Sequence, residues 1–431
     1  MFDAILAAGR ENGFAVVEVF AEKEEGVHFD LSPLCPSIHR QKTHRLAVRA
    51  WAERGDPVGF SLSTADAARA RAQFARIRPL PPGPGKGAAV HLPAAVREVR
   101  CDIHDPAFEV FAADPVAELR SRISESLISF PGLKLVAARV SKTRQKRYLA
   151  NSGGFAGKYR RTRFTLSITL RLDQRVLEVG ETRVYASGLD PENLVARAHH
   201  LLEAQDGGEA SFSGSELPLL LAPEAAVVLL RAFSRFCRLD LPTEGDRWVA
   251  SPAVTIADHA ALDGQVGSYP FDDEGVPGGE TEIVRKGMMA TRVNNLETAA
   301  SGNRKPTGNG VRRGDPVFPR IGFSNLFIKP SVIPLDRLLS AVPAGVLVSS
   351  LRPQAVDPAI GAMTCAACGF ELAGGEIGRA VRFQLVAVPR TVFLRIERVS
   401  RDLKFFCQDP NLGAPYLLAP ARILGAARLQ L

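Results

Sequence analysis

The chain has 431 residues, of which 46% are hydrophobic and 23% charged, an ordinary globular composition that excludes wholesale disorder. Its 54 Lys and Arg against 46 Asp and Glu give a net charge of +8, which admits a nucleic-acid partner without requiring one. The longest apolar stretch, 217–230, is interrupted by two prolines and a glutamate, and the six cysteines are too few for a disulfide scaffold. We therefore expect a soluble, cytoplasmic chain with reduced thiols and no membrane segment.

The first half of the sequence alternates helical and strand patterns, which predicts a mixed α/β domain. Apolar spacing predicts helices over 2–11, 64–77, 114–130 and 189–205, and strands over 15–20, 45–53, 58–62, 133–140, 147–151, 162–172 and 175–185. In 45–53, Leu46, Val48 and Ala50 alternate with a polar face that includes Arg49, so we expect a half-buried strand. The Pro/Gly-rich segment 78–93 predicts a loop.

The second half is predicted to be β-rich, beyond a domain boundary in the small, polar segment 206–215. Strands are predicted near 252–257, 281–285, 344–350, 366–372 and 381–399, with one helix over 224–236. The overall prediction is an α+β fold, with a mixed α/β N-terminal domain at 1–210 and a β-rich C-terminal domain at 211–431.

Short motifs of common enzymes are missing, since the sequence contains no GxSxG, GxxxxGK[ST] or HExxH. Two groups have partial metal-ligand spacing: Cys35 with His39 and His44, and the pair His199 and His200 with Glu203. We interpret the first as a polar surface segment and the second as a solvated helix end. Cys365 and Cys368 form a CxxC inside a strand pattern, which favours buried thiols over a redox motif.

Positive charge is concentrated in two segments, 139–147 and 158–163, with five and four basic residues. In alternating strands this pattern is typical of one solvated face. A nucleic-acid-binding module that uses Arg160 and Arg161 against phosphates stays open as an alternative.

Three consecutive carboxylates, Asp272, Asp273 and Glu274, lie on a turn between Pro270 and Pro277. Like charges at this spacing repel unless Arg, Lys, backbone N–H groups or a cation compensate them. An acidic surface turn and a functional cluster both remain open on this evidence.

Three motifs around and after these carboxylates identify a family resemblance. In order they are 268–277 (SYPFDDEGVP), 306–312 (PTGNGVR) and 319–325 (PRIGFSN), and together they resemble the TldD/PmbA family, also called modulator of DNA gyrase proteins. Further segments at 151–154, 159–162, 345–350 and 369–381 are similar to that family, so the resemblance covers nearly the whole chain. It implies a C-terminal domain of the TldD/PmbA type.

The family has a catalytic branch, TldD, which resembles a zinc peptidase with an HExxxH motif on the helix that opens the C-terminal domain. On this chain that motif falls on Arg231, Ala232 and Phe236, none of which can bind zinc or activate water. Cys407 lies roughly where the catalytic branch has a late cysteine, but without its Gly-rich context. The sequence therefore resembles the PmbA/TldE branch, the non-catalytic subunit.

This resemblance implies a heterodimer with a TldD-like metallopeptidase subunit that holds the zinc and cleaves unfolded or short peptides, bound as an added strand. In this chain we expect no catalytic residue, no metal ligand and no cofactor; a homodimer is an alternative, and nucleic acid is disfavoured. The structural or substrate-channel candidates are Asp272, Asp273, Glu274, Thr307, Asn309, Arg320 and Asn325. The alternative functions are a stand-alone hydrolase that uses Cys407 or the carboxylate cluster, and a nucleic-acid-binding module.

Overall fold

The computed structural model describes residues 2–31, 37–52, 56–77, 91–95, 99–241, 247–314, 316–357, 361–407 and 409–431. Most of the predicted Pro/Gly loop, 78–90, lies outside these residues, as does Cys35. Within the described part of the chain, no helix has both the length and the apolar character needed to span a bilayer.

The described part of the N-terminal half is built on one antiparallel sheet of six strands with four α-helices. The helices are α1 (Phe2–Glu11), α2 (Ala67–Phe74), α3 (Ala113–Ile128) and α4 (Pro191–Asp206). The strands are β1 (Val16–Asp30), β2 (Ser37–Trp51), β3 (Val58–Leu62), β4 (Leu133–Asn151), β5 (Ala156–Leu172) and β6 (Arg175–Arg183). Their order across this N-terminal sheet is β3-β2-β1-β4-β5-β6.

The C-terminal half contains the remaining elements. Its helices are α5 (Pro223–Phe233), α6 (Leu296–Ser301), α7 (Leu335–Ser340) and α8 (Pro389–Arg395). Its strands are β7 (Gly208–Glu209), β8 (Glu216–Leu221), β9 (Ile256–His259), β10 (Glu280–Arg285), β11 (Met288–Met289), β12 (Gly310–Val311), β13 (Arg320–Ile321), β14 (Asn325–Ile328), β15 (Ala344–Val356), β16 (Met363–Ala373), β17 (Glu376–Ala387), β18 (Arg398–Val399), β19 (Lys404–Cys407), β20 (Asn411–Ala414), β21 (Leu417–Gly425) and β22 (Arg428–Gln430).

Two larger sheets organise these strands. The order β11-β10-β9-β14-β20-β19 forms one, and β16-β15-β8-β21-β22-β17-β7 forms the other. In the second sheet β16 also pairs with β17, so the strands from β16 to β17 close into a ring. Helix α5 packs into the largest hydrophobic core, where Phe233 stacks on Phe393 from α8 at 4.4 Å between ring centroids. Helices and extensive sheets in one chain confirm the α+β prediction.

The two faces of the N-terminal sheet carry different chemistry. Even-numbered positions of β5, such as Phe164 and Leu166, pack against α3 and α4, and Val17 and Val48 belong to the core that α1 and α2 cover. The opposite face carries polar side chains that are nevertheless buried: the charged Glu18, Glu22, Arg49 and Arg161, and the amide Gln145. The prediction of half-buried strands with one solvated face is therefore wrong here. Part of this second face is covered by the C-terminal half.

Several predicted boundaries also differ. Strand β4 runs unbroken through 141–146 because β5 pairs with it on one side and β1 on the other. The strand predicted over 381–399 is interrupted by α8, which Pro389 initiates at its first turn. Helix α2 begins after Asp66 rather than Thr64, since the Asp66 carboxylate accepts hydrogen bonds from two backbone N–H groups at the start of the helix.

Candidate functional site

The three consecutive carboxylates at 272–274 form a tight, buried turn. The Asp272 carboxylate accepts hydrogen bonds from the backbone N–H groups of Glu274 and Val276, each at 2.9 Å, and from that of Gly310 at 2.8 Å. Gly275 takes a φ of 85°, in the left-handed region where a side chain is disfavoured. The predicted turn between Pro270 and Pro277 is present, but it lies in the interior of the protein and not on its surface.

Arginines of the N-terminal sheet compensate the other two carboxylates. Arg147 on β4 binds Asp273 at 2.6 Å and Glu22 at 2.8 Å. Arg49 on β2 binds Glu274 at 3.0 Å, and its Nε and Nη2 each donate to Glu18 at 3.2 Å. The two ion pairs to the turn, Arg147 with Asp273 and Arg49 with Glu274, join residues that are 126 and 225 positions apart, so the turn fastens the C-terminal half onto the N-terminal sheet.

A third arginine, Arg312, completes this arrangement from the C-terminal half. Its guanidinium pairs with Glu18, and its backbone N–H donates to Asp273 at 2.7 Å. We call the whole set the buried network; its members are Glu18, Glu22, Arg49, Arg147, Asp272, Asp273, Glu274 and Arg312.

Burial determines the electrostatics of the buried network. Desolvation, together with the neighbouring Glu274 charge, raises the pKa of Asp272 well above its usual range. Desolvation also raises the pKa of Glu274, although Arg49 acts against it. For Arg147, desolvation acts to lower the pKa, but the combined effect of Asp273, Tyr159 and Glu22 outweighs it, so the pKa is raised. Each arginine of the buried network forms an ion pair with at least one of its carboxylates, as is typical of groups that stabilise a fold.

Beside the buried network lies a narrow cavity of about 320 Å³ between the N-terminal sheet and the C-terminal half. We call it the basic cavity. Its charged lining consists of Glu22, Glu24, Arg45, Arg147, Arg161, Arg163, Asp273, Arg312, Arg313 and Asp409. Burial, and then the charges of Arg163 and Arg147, lower the pKa of Arg161 to about 9. Six arginines against four carboxylates make the lining of this cavity strongly basic.

Two of the predicted asparagines lie in buried hydrogen-bond clusters near this cavity. Asn325 accepts from Asn411 at 2.9 Å, and Asn411 lines the cavity, as does Gly267, whose N–H also donates to Asn325. Asn309 donates to Asp258 at 2.7 Å. Burial raises the pKa of Asp258 to about 6, against the lowering effect of its hydrogen bonds from Asn309 and Ser324.

The other two predicted residues lie elsewhere. Thr307 is paired with Asn294, whose side chain accepts from the Thr307 N–H at 3.0 Å and whose N–H donates to the Thr307 hydroxyl at 2.9 Å. Arg320 is exposed on β13, opposite Val311 of β12. The structure thus brings Asp272, Asp273 and Glu274 together, places Asn325 and Asn309 nearby, and leaves Arg320 at the surface.

Sequence reasoning missed the N-terminal members of the site. Glu18 and Arg49 lie in ordinary strand patterns and Arg147 ends a basic strand segment, and nothing local shows that a second layer covers them. The one available signal was the uncompensated carboxylate triplet, which demands arginines from elsewhere in the chain.

The candidates set aside on sequence grounds have mixed outcomes. Cys365 and Cys368 are buried thiols on β16, as predicted. His199 and His200 are not at a solvated helix end: His199 stacks on Phe130, and His200 contacts Ser349 at 2.9 Å. Cys35 of the first metal-like group lies outside the described residues.

The basic strand segments are also not a simple polymer-binding face. Arg160 is exposed, but Arg161 is 8% exposed and faces the basic cavity. Arg144 pairs with Glu25 and Glu109, so its charge is compensated within the chain. The contact of both Arg160 and Arg161 with one phosphate backbone, which the nucleic-acid alternative required, does not fit this geometry.

Comparison with known proteins places this arrangement in a family. Residues 107–205 match the PmbA/TldA metallopeptidase central domain, and residues 214–423 match the PmbA/TldA metallopeptidase C-terminal domain. The chain belongs to the PmbA/TldD family. The family resemblance read from the carboxylate and asparagine motifs is confirmed.

Curated relatives of this PmbA/TldD-family chain are metalloproteases. One from Methanocaldococcus jannaschii is 29% identical over 233 residues, which cover 51% of this chain and 50% of the relative. One from Methanothermobacter thermautotrophicus is 33% identical over 170 residues, 37% of each chain. The chain thus spans about half or less of the length of the curated relatives it matches.

Solved structures match the fold over the full length. TldE from Thermococcus kodakarensis has a TM-score of 0.81 at 18% identity and is covered completely. A protein from Thermotoga maritima described as a modulator of DNA gyrase has a TM-score of 0.83 at 19% identity, with 97% of both chains covered. At these identities the likeness concerns the fold.

The zinc that the PmbA/TldD family implies does not fit this chain at the expected position. Helix α5 ends at Phe233, and Phe236 lies in the following 3-10 helix, Ser234–Cys237, where it packs against the hydrophobic core. Ala232 packs against the same core, and Arg231 is exposed and cationic. In the described ranges, no three His, Cys, Asp or Glu side chains converge in an arrangement that could hold a metal ion.

Proposed function

We propose that this chain is the non-catalytic, TldE/PmbA-like subunit of a TldD-type zinc metallopeptidase. The single observation that carries the proposal is the chemistry at the family's zinc position, where Arg231, Ala232 and Phe236 replace two imidazoles and a carboxylate. A cationic side chain repels zinc, and two apolar side chains packed on a core supply neither a ligand nor a base for water.

The contacts of the acidic turn support a role in holding the structure together rather than in catalysis. The acidic turn at 272–274 is tied to Arg49 and Arg147 of the N-terminal sheet, so its carboxylates are engaged and not poised for acid–base catalysis. Asp273, a member of the carboxylate cluster that the hydrolase alternative would use, accepts from Arg147 and from the Arg312 N–H. The Asp273 oxygens are therefore occupied by donors from both halves of the chain.

The proposed partner is a TldD-like subunit that contributes the zinc and the catalytic glutamate. The proposed substrates are short or unfolded peptides, which strand pairing holds with little demand on sequence. This chain has a suitable edge: β19 pairs with β20 on one side, and no described strand pairs with its other side.

Co-expression with a TldD-like subunit from the same genome tests this proposal. With an affinity tag on this chain only, we expect the two subunits to co-purify at equal stoichiometry and to hydrolyse peptides that neither subunit hydrolyses as efficiently alone. Replacing the glutamate of the partner's HExxxH motif by glutamine provides the matched control, which should abolish hydrolysis and preserve the complex.

Two outcomes would contradict the proposal. One is hydrolysis that persists in the complex with the inactivated partner. The other is a stable homodimer of this chain that does not exchange with the TldD-like subunit.

A further inference from the structure

The charges that line the basic cavity do not balance. Six arginines face four carboxylates there, and each carboxylate already has a donor. Glu22 and Asp273 bind Arg147, Glu24 accepts from the Gln145 amide at 3.2 Å, and Asp409 binds Arg313 at 3.0 Å. An excess of positive charge is therefore left in this concave space.

That excess is located on two arginines of β5. Arg161 donates through Nε to the side-chain Oε1 of Gln145 at 2.7 Å, and Arg163 donates through Nη2 to the backbone carbonyl of Val266 at 3.3 Å. The Nε of Arg163 is buried without a hydrogen-bond partner. Among the described residues no carboxylate forms an ion pair with either guanidinium. Because the two residues are separated by one position on a strand, both side chains point into the same cavity.

Burying a guanidinium without a counter-charge is expensive, and folded proteins normally pair such a group. Arg161 is 8% exposed, so bulk water compensates it poorly, and its lowered pKa is consistent with an unmet demand for negative charge. The Gln145 amide lies between Arg161 and Glu22 and hydrogen-bonds to both, so the Glu22 carboxylate does not contact the Arg161 guanidinium directly. The terminal N–H groups of such a guanidinium have the geometry to donate to the two oxygens of an oxyanion.

We propose that Arg161 and Arg163 form a binding site for an oxyanionic group in the basic cavity, and that its ligand is the C-terminal carboxylate of a short peptide. The cavity volume of about 320 Å³ lies at the lower end of the range of small-molecule sites. It accommodates a chain end and not a folded partner.

The position of β19 favours a peptide over an inorganic anion. Cys407, the last residue of this edge strand, lines the cavity, and so does Asn411, the first residue of its neighbour β20. A peptide added to the unpaired side of β19 would lie alongside the cavity mouth, where its terminal carboxylate can reach the two arginines. The choice of a peptide rests on the proposed function, whereas the oxyanion site rests on the cavity alone.

Isothermal titration of the purified chain with acetyl-trialanine, as the free acid and as the C-terminal amide, tests the site. We expect the free acid to bind about tenfold or more tightly than the amide, since the amide cannot accept two charge-assisted hydrogen bonds. In Arg161→Met this preference should disappear. Arg160→Met is the matched control, because Arg160 is the exposed neighbour on the same strand, and it should bind as the unaltered chain does.

A second measurement separates a binding role from a structural one. Without peptide, Arg161→Met should melt no lower than the unaltered chain, because it removes a buried charge that has no counter-ion. Arg163 is less buried than Arg161, so Arg163→Met repeats the binding test if Arg161→Met does not fold. It should likewise lose the preference for the peptide acid over the amide.

Three results would overturn the inference. The first is equal affinity for acetyl-trialanine and its amide, and the second is an unchanged affinity for the acid in both Arg161→Met and Arg163→Met. The third is binding of inorganic phosphate that depends on Arg161, with no binding of the peptide acid. Co-purification with the TldD-like subunit is scored separately. Retained partner association without peptide binding overturns only the site, and peptide binding without partner association overturns only the proposed function.

Discussion

Removing the charge of Arg147 tests whether the buried network holds the two halves of the chain together. The Arg147 side chain is 12% exposed and contacts Asp273 at 2.6 Å and Glu22 at 2.8 Å, which are themselves 2% and 8% exposed. In Arg147→Met the aliphatic stem remains, but two buried carboxylates lose their shared partner. Breaking a buried pair from one side typically costs about 3–5 kcal/mol, since the remaining charge is desolvated without compensation.

Urea unfolding, monitored by tryptophan fluorescence and by circular dichroism, measures this cost. Trp51 is 5% exposed and packs under the Arg49 guanidinium at 4.4 Å, so its emission reports on the same region. Arg71→Met is the matched control: Arg71 pairs with Glu11 at 2.6 Å, but both side chains are 55% exposed, and such surface pairs contribute about 0–1 kcal/mol. If both variants unfold at the same urea concentration as the unaltered chain, the reasoning about the network is refuted.

Two further predictions concern neighbours of the network. The pKa of Asp258 is raised by burial from 3.8 to about 6, so the folded state favours its protonated form, and the stability it contributes at low pH is lost as the pH rises through about 6. Asp258→Asn stays neutral, so its melting temperature relative to the unaltered chain should increase between pH 3.8 and about 6; a constant difference would contradict this assignment. A Cβ at Gly310 would overlap the Glu274 carboxylate, so Gly310→Ala should lower the free energy of unfolding by about 1–3 kcal/mol. At Gly279 no atom lies within 4 Å of a new Cβ, so Gly279→Ala should lower it by less than about 1 kcal/mol. Equal losses in the two glycine variants would show that this steric argument is wrong.

The local elements of the fold could be predicted because their causes are local. The alternation of Leu46, Val48 and Ala50 identified β2, and the Asp190-Pro191 start identified α4. The pattern could not show that a second layer covers the charged face of β2, because that layer is contributed by residues more than 200 positions away. For the same reason Arg49 was assigned to solvent and is found buried.

The candidate site was predictable in part. The carboxylates at 272–274 stood out because three like charges in sequence require compensation, and the structure supplies it from Arg49 and Arg147. Arg161 gave no such signal. Its place in a basic strand segment suggested a solvated face, and only the packing of the C-terminal half over β5 encloses it. The sequence thus indicated that the carboxylates at 272–274 require counter-charges, but it did not indicate that Arg161 is buried without one.

Metal and activity analysis of the chain purified alone, beside its complex with a TldD-like subunit, tests the central claim most directly. The account predicts that the chain alone retains no stoichiometric zinc after dialysis and hydrolyses no peptide, and that the complex carries its zinc in the partner. Stoichiometric zinc that stays bound to the isolated chain, together with peptidase activity that a chelator abolishes, would contradict it.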